Sequence, residues 1–389
     1  MPPNKKICLV TNRYPAHADD VASPFVRDFH LGLTRRGVEV SVFTPYYETA
    51  GENWLEGVMR FNWAGGEKVV GALNPLNPRE LLHIFSFLRQ GKRRLLQHLE
   101  KTRPDACLAL WALPSGWFTL QAKRELGIPY SVWCLGSDIY VWARRPVLKG
   151  LTRKVLQEAD CLFADGFDLC ERVRELSGRD CSFLPSVRRL PPGGELKRVM
   201  DASKFNFLYV GRWERKKGLD DLIQAFARLR ERIDSVNLYV VGWGDFEGGM
   251  RRLIAELKLT NCVRIVGRVP THLLADHIRQ ADCLVIPSKS DSIPLVFSEA
   301  LQMRTPFIVS DVGDMGKLVR EFDLGKVVPP GDLENLARAM IQFVEEERDY
   351  TAKIPDALKL LDSGRAVDDY LKAIRATEHS HAAAVSLSS

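Results

Sequence analysis

Short apolar runs rich in Val, Ile, Leu, Phe and Cys recur along this chain, separated by amphipathic stretches of helical period. In the first half KICLVT (6–11), VEVSVFTP (38–45), ACLALW (106–111), YSVWCLG (130–136) and DCLFAD (160–165) read as buried strands. Helical patterns fill the gaps at 24–36, 79–101, 115–126, 146–158 and 167–176. FNFLYVG (205–211), VNLYVVG (236–242), CVRIVG (262–267), CLVIP (283–287) and PFIVS (306–310) repeat the rhythm. Strands buried on both faces and joined by helices form parallel sheets, so the alternation predicts an α/β chain of two doubly wound, Rossmann-like domains. The break is expected at SVRRLPPGGELKR (186–198), where apolar content falls and Pro-Pro-Gly-Gly punctuates the chain. This divides the protein into domains 1–190 and 191–347, a helical segment 348–376 and a loose tail 377–389. Open parallel sheets bind ligands beyond the carboxyl ends of their strands, which predicts a central cleft faced by both domains.

Composition fits that plan: 389 residues suffice for two domains, and 46% hydrophobic with 27% charged residues excludes disorder over most of the length. The eight cysteines are scattered without a Cys-x-x-Cys pair, and most fall in apolar runs. They read as reduced core residues of a cytoplasmic protein, not as a disulfide framework or zinc site. The opening MPPNKKICLVTNRYP has too few apolar residues for a secretory signal, and no run approaches the ~18 needed to span a bilayer. A formal charge of +6 suits acidic small molecules or an anionic membrane surface, and nucleic acid is not among the expected partners. LVTNRYPAH after the first strand lacks Gly-x-Gly-x-x-Gly, which argues against a nicotinamide enzyme.

The stretch IPSKSDSIPLVFSEALQ (286–302) holds two carboxylates, Asp291 and Glu299, eight positions apart across Pro294. Ser292 is expected as an N-cap with Pro294 in the first turn of a helix, which places Asp291 in a loop and Glu299 nearly two turns in. The free N–H groups at such a helix start suit phosphate, and hydroxyl-binding acids on either side suit a sugar nucleotide. LYVGRWERKKGLDDLIQAFARL supplies Arg212, Arg215, Lys216 and Lys217 at the carboxyl end of another strand, but is not a P-loop. In YVVGWGDFEGG, Gly242 and Gly244 permit close backbone approach at a third strand end.

Taken in order, the motifs from about 205 to 313 resemble the retaining glycosyltransferase family 4, whose fold is GT-B. VGRWERKKG is similar to the family's Gly-Arg-x4-Lys-Gly segment, VGWGD to its glycine loop, and the stretch ending in Glu299 to its Glu-x7-Glu element, with Asp291 replacing the first glutamate. The resemblance implies that Arg212 and Lys217 neutralise a diphosphate, assisted by Gly211 and Lys216, that Arg268 lies beside the base and that Glu299 holds the ribose. Asp291 and the backbone of Ser292, Ile293, Pro294 and Leu295 would hold the donor sugar. It further implies a nucleotide-sugar co-substrate, no metal and no other cofactor.

The first half is similar to the family's acceptor domain, with Ser23 where glycine is common and Leu135 in CLGSDI (134–139) where histidine is common. Gly136 and Asp138 are the remaining acceptor-side candidates there, and His17 and His30 are open between surface, core and function. Retaining transfer can use the departing phosphate oxygen to take the acceptor proton, so the missing histidine does not exclude catalysis. LLHIFSFLRQGKRRLLQHLEK (81–101) and WARRPVLKGLTRK (142–154) join apolar and basic residues, as solvated core helices would or as a face for anionic lipid would. The reading is a cytoplasmic glycosyltransferase, at most peripheral at the inner face of the membrane, that moves a sugar to a glycan or lipid-linked acceptor in cell-surface polysaccharide or glycolipid synthesis. A non-catalytic sugar-nucleotide-binding scaffold and a GT-B sugar-nucleotide epimerase are the alternatives.

Overall fold

The computed structural model describes residues 5–17, 20, 22–47, 56–66, 68–74, 76–191, 197–346 and 348–388. They form two units, residues 1–186 with 363–389, and residues 187–362. In the first unit β1 (Lys6–Val10), β2 (Glu39–Pro45), β3 (Val58–Phe61), β4 (Ala106–Leu110), β5 (Tyr130–Cys134), β6 (Cys161–Ala164) and β7 (Ser182–Phe183) form one parallel sheet in the order β3-β2-β1-β4-β5-β6-β7. In the second β8 (Phe205–Arg212), β9 (Val236–Trp243), β10 (Val263–Gly267), β11 (Cys283–Ile286), β12 (Phe307–Ser310) and β13 (Gly325–Val328) run parallel in the order β10-β9-β8-β11-β12-β13. Both units are therefore doubly wound, with the strand order reversing at β1/β4 and at β8/β11.

The predicted helices of the first half appear as Pro24–Thr34, Pro78–Thr102, Ser115–Leu126, Pro146–Glu158 and Phe167–Ser177. Each central strand is buried on both faces, and every fully buried Leu, Val or Phe contributes roughly 1.5–3 kcal/mol of transfer free energy. All eight cysteines are free thiols and all but the half-buried Cys161 are buried, Cys8 and Cys107 as register neighbours on β1 and β4. Among the described residues no helix is long and apolar enough to cross a membrane.

Domain organisation differs from the expected one at its edges. The units meet at Ser186/Val187 instead of 190/191, and residues 192–196 of the expected break lie outside the described residues. The 348–376 segment is two helices belonging to different units: Ile354–Leu360 stays with the second, while Ser363–Ser388 returns to the first. That last helix continues through most of the stretch expected as a loose tail. Its apolar stripe explains the return. Tyr370 is fully buried against Phe29 (ring centroids 5.5 Å apart) and Phe163 (5.6 Å), and Asp368 accepts two hydrogen bonds from Arg36 at 2.5 and 2.7 Å.

Candidate active site

In the second unit the order reversal places the loops after β8 and β11 side by side, the position at which open α/β sheets bind ligands. The chain leaves β8 through Gly211 and Arg212 and turns through a 3₁₀ segment, Arg215–Lys217. Lys217 Nζ then reaches both carboxylate oxygens of Asp291, at 2.6 and 2.8 Å, with both side chains mostly shielded (18% and 16% exposed). Two residues 74 positions apart are thereby joined in one charge-assisted pair.

The other cations of this loop are engaged differently. Glu214 takes Arg212 through Oε1 at 2.6 Å and Lys216 through Oε2 at 2.9 Å, and those two cations are more than half exposed. Neighbouring Arg212 and Lys216 hold the Glu214 carboxyl below its ordinary range despite partial burial, which acts to raise it. Exposed pairs of this kind contribute about 0–1 kcal/mol, so an incoming phosphate can draw Arg212 and Lys216 away at little cost. The shielded Lys217 pair is more firmly held.

Backbone packing shapes the floor. Gly242, at φ 138°, has no room for a side chain, because a Cβ there would lie 1.8 Å from the Gly211 carbonyl oxygen. Gly244 lies against Trp213 in the same turn. Gly313, at φ 53°, backs the other wall: a Cβ would fall 2.4 Å from the Asp291 carbonyl oxygen and 2.6 Å from that of Ser292. Arg268, just past β10, stacks over the exposed indole of Trp243 at 4.7 Å.

The helix after β11 begins one residue later than expected, at Leu295–Met303, with Pro294 as its N-cap residue in an extended conformation (φ −69°, ψ 148°). Ser292 stands two positions before that cap, too far to bond the helix N–H groups, so it is not the N-cap. Its hydroxyl is buried without a hydrogen-bond partner among the described residues, an unsatisfied group beside the open helix start. Ile293 is buried in the same turn. Glu299 is consequently only the fifth helical residue. Its side chain is 3% exposed and accepts a hydrogen bond from Arg188 Nε at 2.6 Å.

Asp291, Lys217, Ser292 and the helix start are thus brought together around one loop pair, whereas Glu299 is buried with Arg188. Sequence reasoning missed Arg188, Glu214, Trp243 and Gly313. Glu214 carried a local signal, since a lone acid among four cations invites pairing.

In the first unit the acceptor-side candidates occupy the carboxyl edge of the sheet. Ser23 adopts a left-handed conformation (φ 53°, ψ 48°) at the start of Pro24–Thr34, which costs a residue with a Cβ roughly 1–2 kcal/mol and suits glycine. Gly136, at φ 98°, opens the short helix Ser137–Tyr140. Asp138 is 1% exposed and accepts the N–H groups of Ala112 (2.7 Å) and Leu135 (3.3 Å), tying the loops after β4 and β5 together. Burial pushes its carboxyl up while these N–H groups pull it down, with burial the larger effect. It is a positioning group in this geometry.

His17 is exposed, whereas His30 is buried with its Nδ1 2.7 Å from the Tyr14 hydroxyl. Burial lowers the His30 pKa from 6.5 to about 4. The unfolded chain therefore binds this proton more readily, and stability contributed by neutral His30 is full above pH 6.5 and lost as pH falls toward 4. Urea titrations between pH 7 and 4 should show this loss in the wild type and a flatter profile in His30→Gln. Equal slopes would place the acid sensitivity elsewhere.

Among the described residues no group of three or more His, Cys, Asp or Glu could hold a metal ion. The model of the glycosyl transferases group 1 family matches residues 197–359, and that of the glycosyl transferase 4-like domain matches residues 22–191. The chain is 29% identical to the putative teichuronic acid biosynthesis glycosyltransferase TuaC of Bacillus subtilis (strain 168), over 97% of this chain and 98% of that one. It is 28% identical to the amylovoran biosynthesis glycosyltransferase AmsK of Erwinia amylovora, over 36% of each chain. Among solved structures, sucrose-phosphate synthase of Thermosynechococcus elongatus superposes with a TM-score of 0.76 at 21% identity, covering 97% of this chain and 100% of that one. Anabaena HepE in complex with UDP gives 0.72 at 15%, covering 95% and 100%, and these likenesses show the GT-B fold.

Proposed function

The chain belongs to the glycosyl transferases group 1 family, with a glycosyl transferase 4-like domain in its first half, and from this premise we propose that the loops after β8 and β11 bind the diphosphate and sugar of a nucleotide-sugar donor. The observation that carries the reading is the Lys217–Asp291 pair at the order reversal of the second sheet. Lys217, with Arg212 and Lys216 released from Glu214, supplies the positive charge that a divalent ion supplies in other transferases, so transfer proceeds without metal. Asp291, Ser292 and the backbone through Leu295 hold the sugar, and Glu299, oriented by Arg188, accepts from the ribose hydroxyls. Arg268 and Trp243 lie on the base side. Retention of anomeric configuration follows the family.

The acceptor is a hydroxyl of a glycan or lipid-linked glycan, in keeping with the teichuronic acid and amylovoran pathways named for two relatives. A lipid-linked acceptor would be met at an anionic membrane surface. Thermal shift against UDP, GDP, ADP and their sugar conjugates, with EDTA present, tests the donor site. Ligand at ~100 Kd adds about 2.7 kcal/mol to stability, a readily visible shift. The expected result is a metal-independent shift with one nucleotide series that collapses in Lys217→Ala. A shift that needs a divalent ion, or that Lys217→Ala leaves whole, would overturn the assignment.

A further inference from the structure

Of the large apolar side chains that stay exposed among the described residues, all but Trp243 lie in two short segments of the first unit, 69–85 and 141–147. Leu76 (89% exposed), Leu82 (67%), Phe85 (62%) and Val147 (85%) are the most open. The segments are neighbours, because the turn Val70–Ala72 packs on the Trp142 indole: a Cβ on Gly71 would lie 3.1 Å from that ring. Both also occupy the same edge of the sheet, since the helices Pro78–Thr102 and Pro146–Glu158 follow the carboxyl ends of β3 and β5.

The tip carries the exposed Arg79 and a self-neutralising pair, Lys68 with Glu80 at 2.7 Å, and further cations lie behind it. Along Pro78–Thr102 the apolar residues Leu81, Leu82 and Phe85 give way to Arg89, Lys92 and Arg93, about 6–18 Å further along the helix at 1.5 Å per residue. A groove of about 650 Å³ there is lined by Phe85, Leu88, Leu96 and Trp117 together with Arg89, Arg93, one acid, Glu100, and Lys92, which pairs with Glu125 at 2.7 Å. From Ile139 to Gln157 the sequence has five cations and no acid. An apolar tip with cations one to three turns behind matches the depth profile of a bilayer interface, acyl chains first and anionic headgroups next. Neither a polar glycan nor an acidic peptide would use both.

We propose that this face, built from 69–74, 76–93 and 141–149, docks the enzyme on an anionic lipid bilayer. The inference extends the reading of a lipid-linked acceptor, but it is tested without donor or acceptor. Full-length protein is sedimented with phosphatidylcholine vesicles, with and without phosphatidylglycerol. Binding is expected only with the anionic lipid and should fall as salt rises. Arg89→Ala/Arg93→Ala should weaken it about 25-fold, taking roughly fivefold per cation near the surface. Leu82→Ser/Phe85→Ser should abolish it. Both variants alter exposed side chains outside the donor loops, so their nucleotide thermal shift should match the wild type. Absence of vesicle binding, or binding that neither variant changes, overturns the proposal. So does concentration-dependent self-association in lipid-free solution that Leu82→Ser/Phe85→Ser removes, since a second copy would then cover the face. If instead vesicle binding stands and the nucleotide shift is missing, the donor-site reading alone fails.

Discussion

Arg188→Ala is expected to destabilise the second unit by about 3–5 kcal/mol, because it leaves the Glu299 carboxylate buried without its partner. The pair is 2.6 Å long and its side chains are only 6% and 3% exposed. The segment that carries Arg188 is strapped to the helix Leu295–Met303 twice more, since Gln302 donates to the Arg188 carbonyl oxygen at 2.8 Å and accepts from the Leu190 N–H at 3.0 Å. Those backbone bonds survive the substitution, so the loss measured by urea denaturation belongs to the side-chain pair. The double variant Arg188→Met/Glu299→Leu should recover most of the stability, because removing both charges removes the desolvation cost as well. A double-mutant cycle then gives the coupling. Should Arg188→Ala cost under ~1 kcal/mol, the pair would be solvated in solution and Glu299 would be open to ligand without Arg188. If the role proposed for Glu299 holds, the double variant folds but loses the nucleotide shift.

The two-unit α/β plan was visible in the sequence because apolar runs of central strands are long and uniform. The strands that escaped notice are β3, β7 and β13, at or beside sheet edges and of four, two and four residues. VMRF and SF carry too little apolar length to register, and GKVV begins on Gly325, whose backbone lies against Phe307. The final helix was readable as a helix, but its return to the first unit depends on Tyr370 meeting Phe29 and Phe163, a match between surfaces far apart in the chain. Within the site, Lys217 and Asp291 could be assigned to one crevice because each follows a strand, and strand ends are placed by the sheet. The link from Arg188 to Glu299 could not, since it spans 111 positions and neither residue has a local pattern that names the other. Ser292 was misread as a cap because its residue type suits one, while the cap position was fixed by where Pro294 ends the extended segment.

Lys217→Ala should lower kcat by about 10²–10³, equivalent to roughly 3–4 kcal/mol of transition-state stabilisation. Charge on the nucleoside diphosphate grows as the bond to the sugar breaks, so a cation fixed beside it acts more strongly on the transition state than on the bound donor. Fixity is what separates Lys217 from its neighbours. Asp291 grips Nζ through both oxygens in a shielded setting, whereas Lys216 is more than half exposed and shares Glu214 with Arg212. Lys216→Ala is accordingly expected to cost less than about tenfold, in the range of a solvated pair. Asp291→Asn should lower kcat by weakening the grip on Lys217 and by altering its contacts with the sugar, and its effect should not add to that of Lys217→Ala. Steady-state and single-turnover kinetics with the nucleotide sugar selected by thermal shift separate the possibilities. A Lys217→Ala variant that raises KM alone, with kcat within a few-fold, would show uniform binding of donor and transition state and would remove Lys217 from the chemical step. Loss of kcat at nearly unchanged KM, with Lys216→Ala close to wild type, would place the catalytic charge on Lys217, a cation that the fold itself holds in position.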